Sequence, residues 1–177
     1  MSRGSLSQDF KEEYKEAINK MRMALALAEE TKSEVNIAFC QNRIGSLFSY
    51  INEYDSAKIC YDKAMAIYQK LEDKENLAAV YLNYGYYYNY RGDFEKARDQ
   101  FERSLAIAKQ INNAYSIASA TYGLTGYHYT KGNFAEALKG IVLGCRAYPA
   151  LRKYAHRILE DQQVWCHQMV EDSKEYA

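Results

Sequence analysis

An all-α fold, a right-handed solenoid of antiparallel helix pairs, is what three features of this 177-residue chain predict. Four alanines, Ala17, Ala57, Ala97 and Ala137, recur at one constant interval, and the same step carries their neighbours. Three residues before them come Tyr14, Tyr54, Phe94 and Phe134; four after come Met21, Tyr61, Phe101 and Ile141; seven after come Ala24, Ala64, Ser104 and Gly144. A fixed period of roughly 20 to 50 residues marks units that bury their apolar faces only by stacking on one another. Within each unit the apolar residues follow a helical period, as in Tyr61, Ala64, Met65 and Tyr68, or Phe101, Leu105 and Ala108. The third feature is punctuation: the single proline is Pro149, and the nine glycines fall mostly at turns or inside the repeats, which fits a chain that is helical nearly throughout.

Eight helices are expected, over residues 8–31, 34–51, 54–71, 75–91, 94–111, 114–131, 134–147 and 150–172. The first is a lone helix, because Ala17, Met21 and Ala24 belong to the second helix of a unit whose first helix is missing. It serves as a cap, or the chain is a piece of a longer one, and Met1-Ser-Arg-Gly-Ser has the look of a cloning remnant. Its apolar residues Phe10, Tyr14 and Ile18 would then be partly uncovered, a patch able to pair two copies in a homodimer. Three helix pairs follow, at 34–71, 75–111 and 114–149. Ile51-Asn-Glu-Tyr, Arg91-Gly-Asp-Phe and Lys131-Gly-Asn-Phe provide two-residue turns, with Gly92 and Gly132 free to take a positive φ and Asp93 or Asn133 able to cap the next helix. Glu72-Asp-Lys-Glu-Asn and Ile111-Asn-Asn-Ala are polar breaks between pairs. Small residues at Ala57, Ala97 and Ala137, and at Gly45 and Gly85, let paired helices approach closely. Pro149 stops the third pair early, and Leu151, Tyr154, Ala155, Ile158, Gln162, Trp165 and Met169 describe an amphipathic closing helix over the end of a single domain.

Composition narrows the function. Lys and Arg number 23, as do Asp and Glu, so no net field attracts nucleic acid or an anionic membrane. An RNA-reading helical array would share the periodicity but should be basic. No run approaches the roughly 18 apolar residues that span a bilayer, and the polar start lacks the apolar core of a secretory signal, so a cytoplasmic protein is expected. Cys40, Cys60, Cys145 and Cys166 lack the short spacings of metal ligands and are expected as free, packed thiols. His156, Cys166 and His167 are the only candidates for a ligand cluster, and adjacent positions on one helix diverge by about 100°. No metal and no cofactor are expected. There is no phosphate loop, no His-Glu-x-x-His and no nucleophile with an identifiable base, and Glu12, Glu13 and Glu16 alternate with Lys11, Lys15 and Lys20 as a solvated face does. An enzyme is not expected.

The pattern resembles the tetratricopeptide repeat, whose motif places aromatic residues and Leu-Gly on the first helix and alanine, aromatic, alanine and proline on the second. The first full repeat carries Ile44-Gly45, Phe48, Ala57, Tyr61 and Ala64; the second carries Tyr81, Tyr84-Gly85, Tyr88, Ala97, Phe101 and Ser104. The third has Leu124-Thr125, His128, Ala137, Ile141, Gly144 and Pro149, and Thr125 and His128 in place of glycine and tyrosine imply looser packing there. A 40-residue period makes each helix some three residues longer than the family's usual 34-residue unit allows. It is similar to the repeats of kinesin light chains, spindle-orienting adaptors and Rap-type peptide-sensing regulators.

The resemblance implies that the first helices line a concave ligand face. Phe39, Asn42, Arg43, Ser46, Ser49 and Tyr50 fall there in the first repeat, and Ala79, Leu82, Asn83, Tyr86, Asn89 and Tyr90 in the second. Ser119, Tyr122, Gly123, Gly126, Tyr129 and Thr130 occupy it in the third. The carboxylate-gripping lysines and arginine of the chaperone-binding members are absent: Asn42, Ser119 and Gly123 stand in their places, which disfavours binding of chaperone tails. Tyrosine replaces charge, with 18 in all. Tyr81, Tyr84 and Tyr88 occupy motif positions and are expected in the core. Tyr86 and Tyr90, with Tyr50, Tyr122 and Tyr129, are expected on the groove, where tyrosine offers a wide contact area at low entropy cost. Asn42, Asn83 and Asn89 would bond a ligand's backbone. The expected function is a protein–protein interaction module or scaffold that holds a peptide or helix. The alternatives are a peptide-sensing regulatory domain of the Rap type, or a fragment of a larger signalling or adaptor protein.

Overall fold

The computed structural model describes residues 3–147, and their regular elements are seven α-helices: α1 (Arg3–Glu30), α2 (Glu34–Tyr50), α3 (Tyr54–Lys70), α4 (Lys74–Tyr90), α5 (Phe94–Gln110), α6 (Ala114–Thr130) and α7 (Phe134–Ala147). They match the first seven expected helices. The expected closing helix over 150–172, the proline stop at Pro149 and the group His156, Cys166 and His167 lie outside the described residues.

Helices α2 to α6 are each 17 residues long, and one connector design joins all seven. The backbone enters the left-handed region at Lys32, Asn52, Glu72, Gly92, Asn112 and Gly132, so the sign of φ flips at every half-period, twice per repeat. At each of these points the next N–H reaches back five residues to close the helix, as from Glu53 to the Phe48 carbonyl at 2.9 Å and from Asp73 to the Tyr68 carbonyl at 3.0 Å. The left-handed residue itself reaches back three, as from Asn52 to Ser49. This pair of bonds is the Schellman cap, which satisfies carbonyls that a helix end would leave bare.

The expectation of two kinds of connection, tight within pairs and looser between them, is therefore corrected. The chain folds back by the same three-residue turn each time. Gly92 and Gly132 do take positive φ, 77° and 73°, but glycine is only the low-cost solution, and four other residues accept the strain. The caps also differ from expectation. Asp93 makes no side-chain cap bond, and its carboxylate pairs with Lys96 Nζ at 2.8 Å. Asp73 and Asn113 cap instead, each accepting a backbone N–H at 3.0 Å, from Asn76 and Ser116.

The repeat step is locked by a ring pressed on a glycine. Tyr61 of α3 lies flat against Gly45 of α2, where a Cβ would stand 2.9 Å from the ring. One repeat on, the Phe101 ring of α5 is held between Gly85 of α4 and Gly123 of α6, where added Cβ atoms would stand 2.5 and 2.6 Å from it. Both rings are almost wholly buried, and Ala57, Ala64 and Ala97 pack beside them with at most 1% of their surface exposed. Burying one such ring stabilises the fold by about 1.5–3 kcal/mol.

In the third repeat the approach at Thr125 stays close, while the frame position Ile141 is only half-buried where Tyr61 and Phe101 are buried. Gly140 of α7 faces the Thr125 hydroxyl, so the small residue has moved to the opposite helix and the close approach is kept. Gly123 of α6 serves another contact, the far side of the Phe101 ring from the preceding repeat.

Tyr81 and Tyr84 are buried as expected, while Tyr88 is half-buried. The most deeply buried tyrosine of α4 is one the motif does not mark, Tyr87, with no exposed surface. It meets Tyr54, Tyr61, Tyr84 and Tyr88 with ring centroids 4.9 to 6.0 Å apart, mostly edge to face, the arrangement that aromatic quadrupoles favour. Phenol hydroxyls inside this cluster find partners: Tyr61 with Ser49 and Ser46 at 3.3 Å, and Tyr84 donating to Asp62 at 3.1 Å.

On α1 the expected open patch is only partly there. Ile18 is 3% exposed and Tyr14 is half-buried against Tyr50, so Phe10 alone of the three is exposed. The frame positions Ala17, Met21 and Ala24 are half-buried, whereas their counterparts Ala57, Tyr61 and Ala64 are buried. The pairing face of α1 is thus less covered than that of α3.

Gly85→Ala is expected to destabilise the protein by about 1–3 kcal/mol, because Phe101 must leave its seat; thermal unfolding followed by circular dichroism measures it. Glu72→Gly relieves a left-handed non-glycine residue at φ 54° and is expected to raise stability by up to about 1 kcal/mol in the same measurement.

Candidate functional site

Helix α2 packs directly on α4, and α4 on α6, whereas no comparable contact joins α3 to α5 or α5 to α7. The first helices of the pairs therefore line the inner side of the stack and the second helices its outer side. Charge follows the same division. Along α2, α4 and α6 the Asp, Glu, Lys and Arg side chains are Glu34, Arg43, Lys74 and Glu75, three of them in first turns. Helix α5 alone carries Glu95, Lys96, Arg98, Asp99, Glu102, Arg103 and Lys109. These outer charges pair among themselves, as in Arg98 with Glu95 at 3.1 Å and Asp99 at 2.9 Å, or reach a neighbouring turn, as in Lys131 with Glu95 at 2.8 Å. Being exposed, they contribute little to stability.

The inner wall is built from phenols and amides. Tyr14 of α1, Tyr50 of α2 and Tyr90 of α4 form a strip, with ring centroids 5.5 Å apart in the first pair and 5.8 Å in the second. Tyr50 and Tyr90 are one repeat step apart and are each about half exposed. Tyr86 lies deeper, its ring edge-on to Phe101 at 5.1 Å. Burial first, and then the neighbouring phenols of Tyr122, Tyr90, Tyr115 and Tyr50, push its hydroxyl well above the ordinary tyrosine range. Tyr90 is raised by burial and then by the neighbouring phenol of Tyr50. Hydroxyls from α2, α4 and α6 thus fall within electrostatic reach of one another.

Of the remaining expected residues, Tyr122 and Tyr129 are exposed on α6, the latter edge-on to Phe134 at 5.6 Å. Asn83 donates to Asn42 Oδ1 at 3.0 Å. Asn42 is 8% exposed, so it holds Asn83 in place from below while Asn83 stays half-buried above it. Asn89 is exposed. Phe39 is exposed at the α2 end of the wall with the Arg43 guanidinium over its ring at 5.5 Å.

Several positions implied by the resemblance turn inward. Ser49 is buried and bonds Tyr61, Ser46 shares that hydroxyl, and Gly123 seats Phe101. They belong to the packing because the α3 and α5 rings need polar partners and room at those heights. Tyr14 and Tyr115 join the wall without having been expected there. Tyr115 carries no frame mark. Tyr14 carries one, three residues before Ala17, but the frame makes its helix a second helix, of the outer kind, and its ring nonetheless reaches Tyr50.

Cys40 and Cys60 are free and buried, as expected, and burial raises both thiols. Among the described residues no group of three or more His, Cys, Asp and Glu side chains is placed to hold a metal ion, and no helix is long and apolar enough to cross a membrane.

Helix pairs on one fixed step, with an inner and an outer member, define a helical-repeat scaffold. The tetratricopeptide-repeat model matches residues 41–110 and 76–139, more than half of the sequence, and the chain belongs to the tetratricopeptide-repeat family. Its repeats make it a scaffold for protein–protein interaction. Among solved structures it is similar to BtubC (BKLC) from P. vanneervenii, at 22% identity and a TM-score of 0.67, over 79% of this chain and 58% of that one. The chain thus spans little more than half the length of that neighbour, and the likeness is one of fold. No curated protein matches the sequence.

Burial keeps several phenols protonated beyond the ordinary range: Tyr61 and Tyr68 ionise at about 12, and Tyr84 and Tyr86 are raised further. The folded state then holds protons that the unfolded chain releases near pH 10, so stability is expected to fall as pH rises from about 10 to about 12. Tyrosinate absorbance during alkaline titration should show an early fraction from exposed rings and a late fraction that appears together with loss of helicity.

Proposed function

We propose that this domain captures a peptide segment of a partner protein on the inner wall formed by α2, α4 and α6. The observation that carries the reading is the concentration of half-exposed tyrosines, Tyr50, Tyr90, Tyr122 and Tyr129, on a wall almost free of charge. Tyrosine and asparagine supply wide contact area and adaptable hydrogen bonds at small entropic cost, as interaction surfaces do. Asn83 and Asn89 would bond the peptide backbone, with Asn42 orienting Asn83 through its hydrogen bond. The wall is rigid before any partner arrives, since its helices are locked from behind by the Tyr61 and Phe101 seats, so little ordering remains to offset binding.

Self-association through α1 is a second reading. It is favoured by the lesser cover of Ala17, Met21 and Ala24 and by the exposed Phe10, Met23 and Leu27 on the same helix. Sedimentation velocity over a range of concentrations tests it, and a monomer at all of them would exclude it.

For the inner wall, a photo-reactive phenylalanine analogue at Tyr90 is expected to cross-link the partner, whereas the same group at Ile59, exposed on the outer helix α3, is not. Equal capture at both positions would remove the inner wall from consideration.

A further inference from the structure

Resting on the inner-wall reading, we propose that the segment captured there is an extended, proline-rich peptide without charged side chains, laid across the Tyr14, Tyr50 and Tyr90 strip.

Charge is the first argument. A carboxylate or ammonium group drawn against this wall loses hydration and finds no counter-charge along α4 or α6 beyond their first turns, a loss of several kcal/mol when unpaired. The one cation in the body of the inner helices, Arg43, lies over Phe39. Along α4 and α6 charge complementarity therefore favours an uncharged ligand, and the charges nearest the strip, Lys15 on α1 and Glu53 in the turn after α2, lie at its α1 edge.

Hydrogen bonding is the second argument. Phenol hydroxyls and the Asn83 amide can all donate. An extended polyproline helix presents its carbonyls outward with no internal bonds, and proline adds no N–H that would need an acceptor. The hydroxyl and amide donors of the wall can meet those carbonyls. A docked amphipathic helix does not fit: its backbone is already bonded within itself, and its apolar side chains would cover these hydroxyls and leave them unpaired.

The third argument is shape. Three neighbouring rings on three separate helices make a platform that runs across the helix axes. Pyrrolidine rings pack on aromatic platforms, and a preformed polyproline helix loses little entropy on docking.

The test uses the full 177-residue chain and a fluorescently labelled, end-blocked decaproline peptide as probe, with an aspartate-rich peptide and an alanine-based helical peptide of equal length beside it. Decaproline is expected to bind saturably, with an affinity that changes less than about twofold between about 0.05 and 0.5 M salt, since no ion pair is screened. The double variant Tyr50→Ala, Tyr90→Ala should weaken it about tenfold or more at unchanged helicity, because both side chains are largely outside the core. Tyr50→Phe, which keeps the ring and removes the donor, should weaken it by a smaller factor and covers the case in which the double variant unfolds.

Absence of decaproline binding overturns the proposal. If the aspartate-rich or helical peptide binds instead and is lost in the double variant, the inner wall stands as the site and the proline-rich ligand is wrong. If decaproline binds equally well to wild type and both variants, the tyrosine strip is not the site and the inner-wall reading falls with it.

Discussion

Everything in this solenoid depends on how closely two helices can approach where an aromatic ring from one meets a glycine on the other. Tyr61 on Gly45, and Phe101 between Gly85 and Gly123, are contacts that no side chain at the glycine positions would permit. They bring α2 to α3, and α5 to both α4 and α6, at a fixed distance. Because the same contact recurs one repeat later, the stack grows by a constant step. The third repeat keeps the approach by a different route, with Thr125 on α6 opposed by Gly140 on α7, so the spacing is preserved while the residues that achieve it change.

The connectors impose a second regularity. Each turn passes through one left-handed residue and closes with the same pair of capping bonds, which makes the half-repeat the geometric unit. Four of the six left-handed positions are occupied by Lys32, Asn52, Glu72 and Asn112. The strain of these residues is tolerated because helix packing on either side over-determines the turn.

Once spacing and turns are set, the two helices of each pair have different surroundings and take different compositions. The outer helices face solvent over a wide arc and carry the charges, which pair locally at i,i+3 and i,i+4 spacings such as Lys58 with Asp62 and Arg98 with Glu95. The inner helices touch one another as well as their partners, and the surface they keep is given over to tyrosine, asparagine, serine and glycine. The neutral sum over the whole chain conceals this division: the molecule has a charged outside and a wall nearly without charge. A surface of that kind discriminates by shape and hydrogen bonding, since it has few charges with which to attract or repel.

The alanine ladder by itself determined the helix count within the described residues, the pairing of helices, the family, and the burial of Ala57, Tyr61, Ala97 and Phe101. Those properties follow from local periodicity and from volume constraints that repeat at one frame position, and a linear pattern can record both. Only the tertiary structure decided that Tyr87 is the most deeply buried tyrosine of α4, that Ser49 and Gly123 serve the packing, and that Asn42 holds Asn83. It also brought Tyr14 and Tyr115 to the inner wall. Each of these depends on which side chains from two or three separate helices compete for one space, and the repeat frame is blind to that competition because it compares a residue with its own repeats and never with its neighbours.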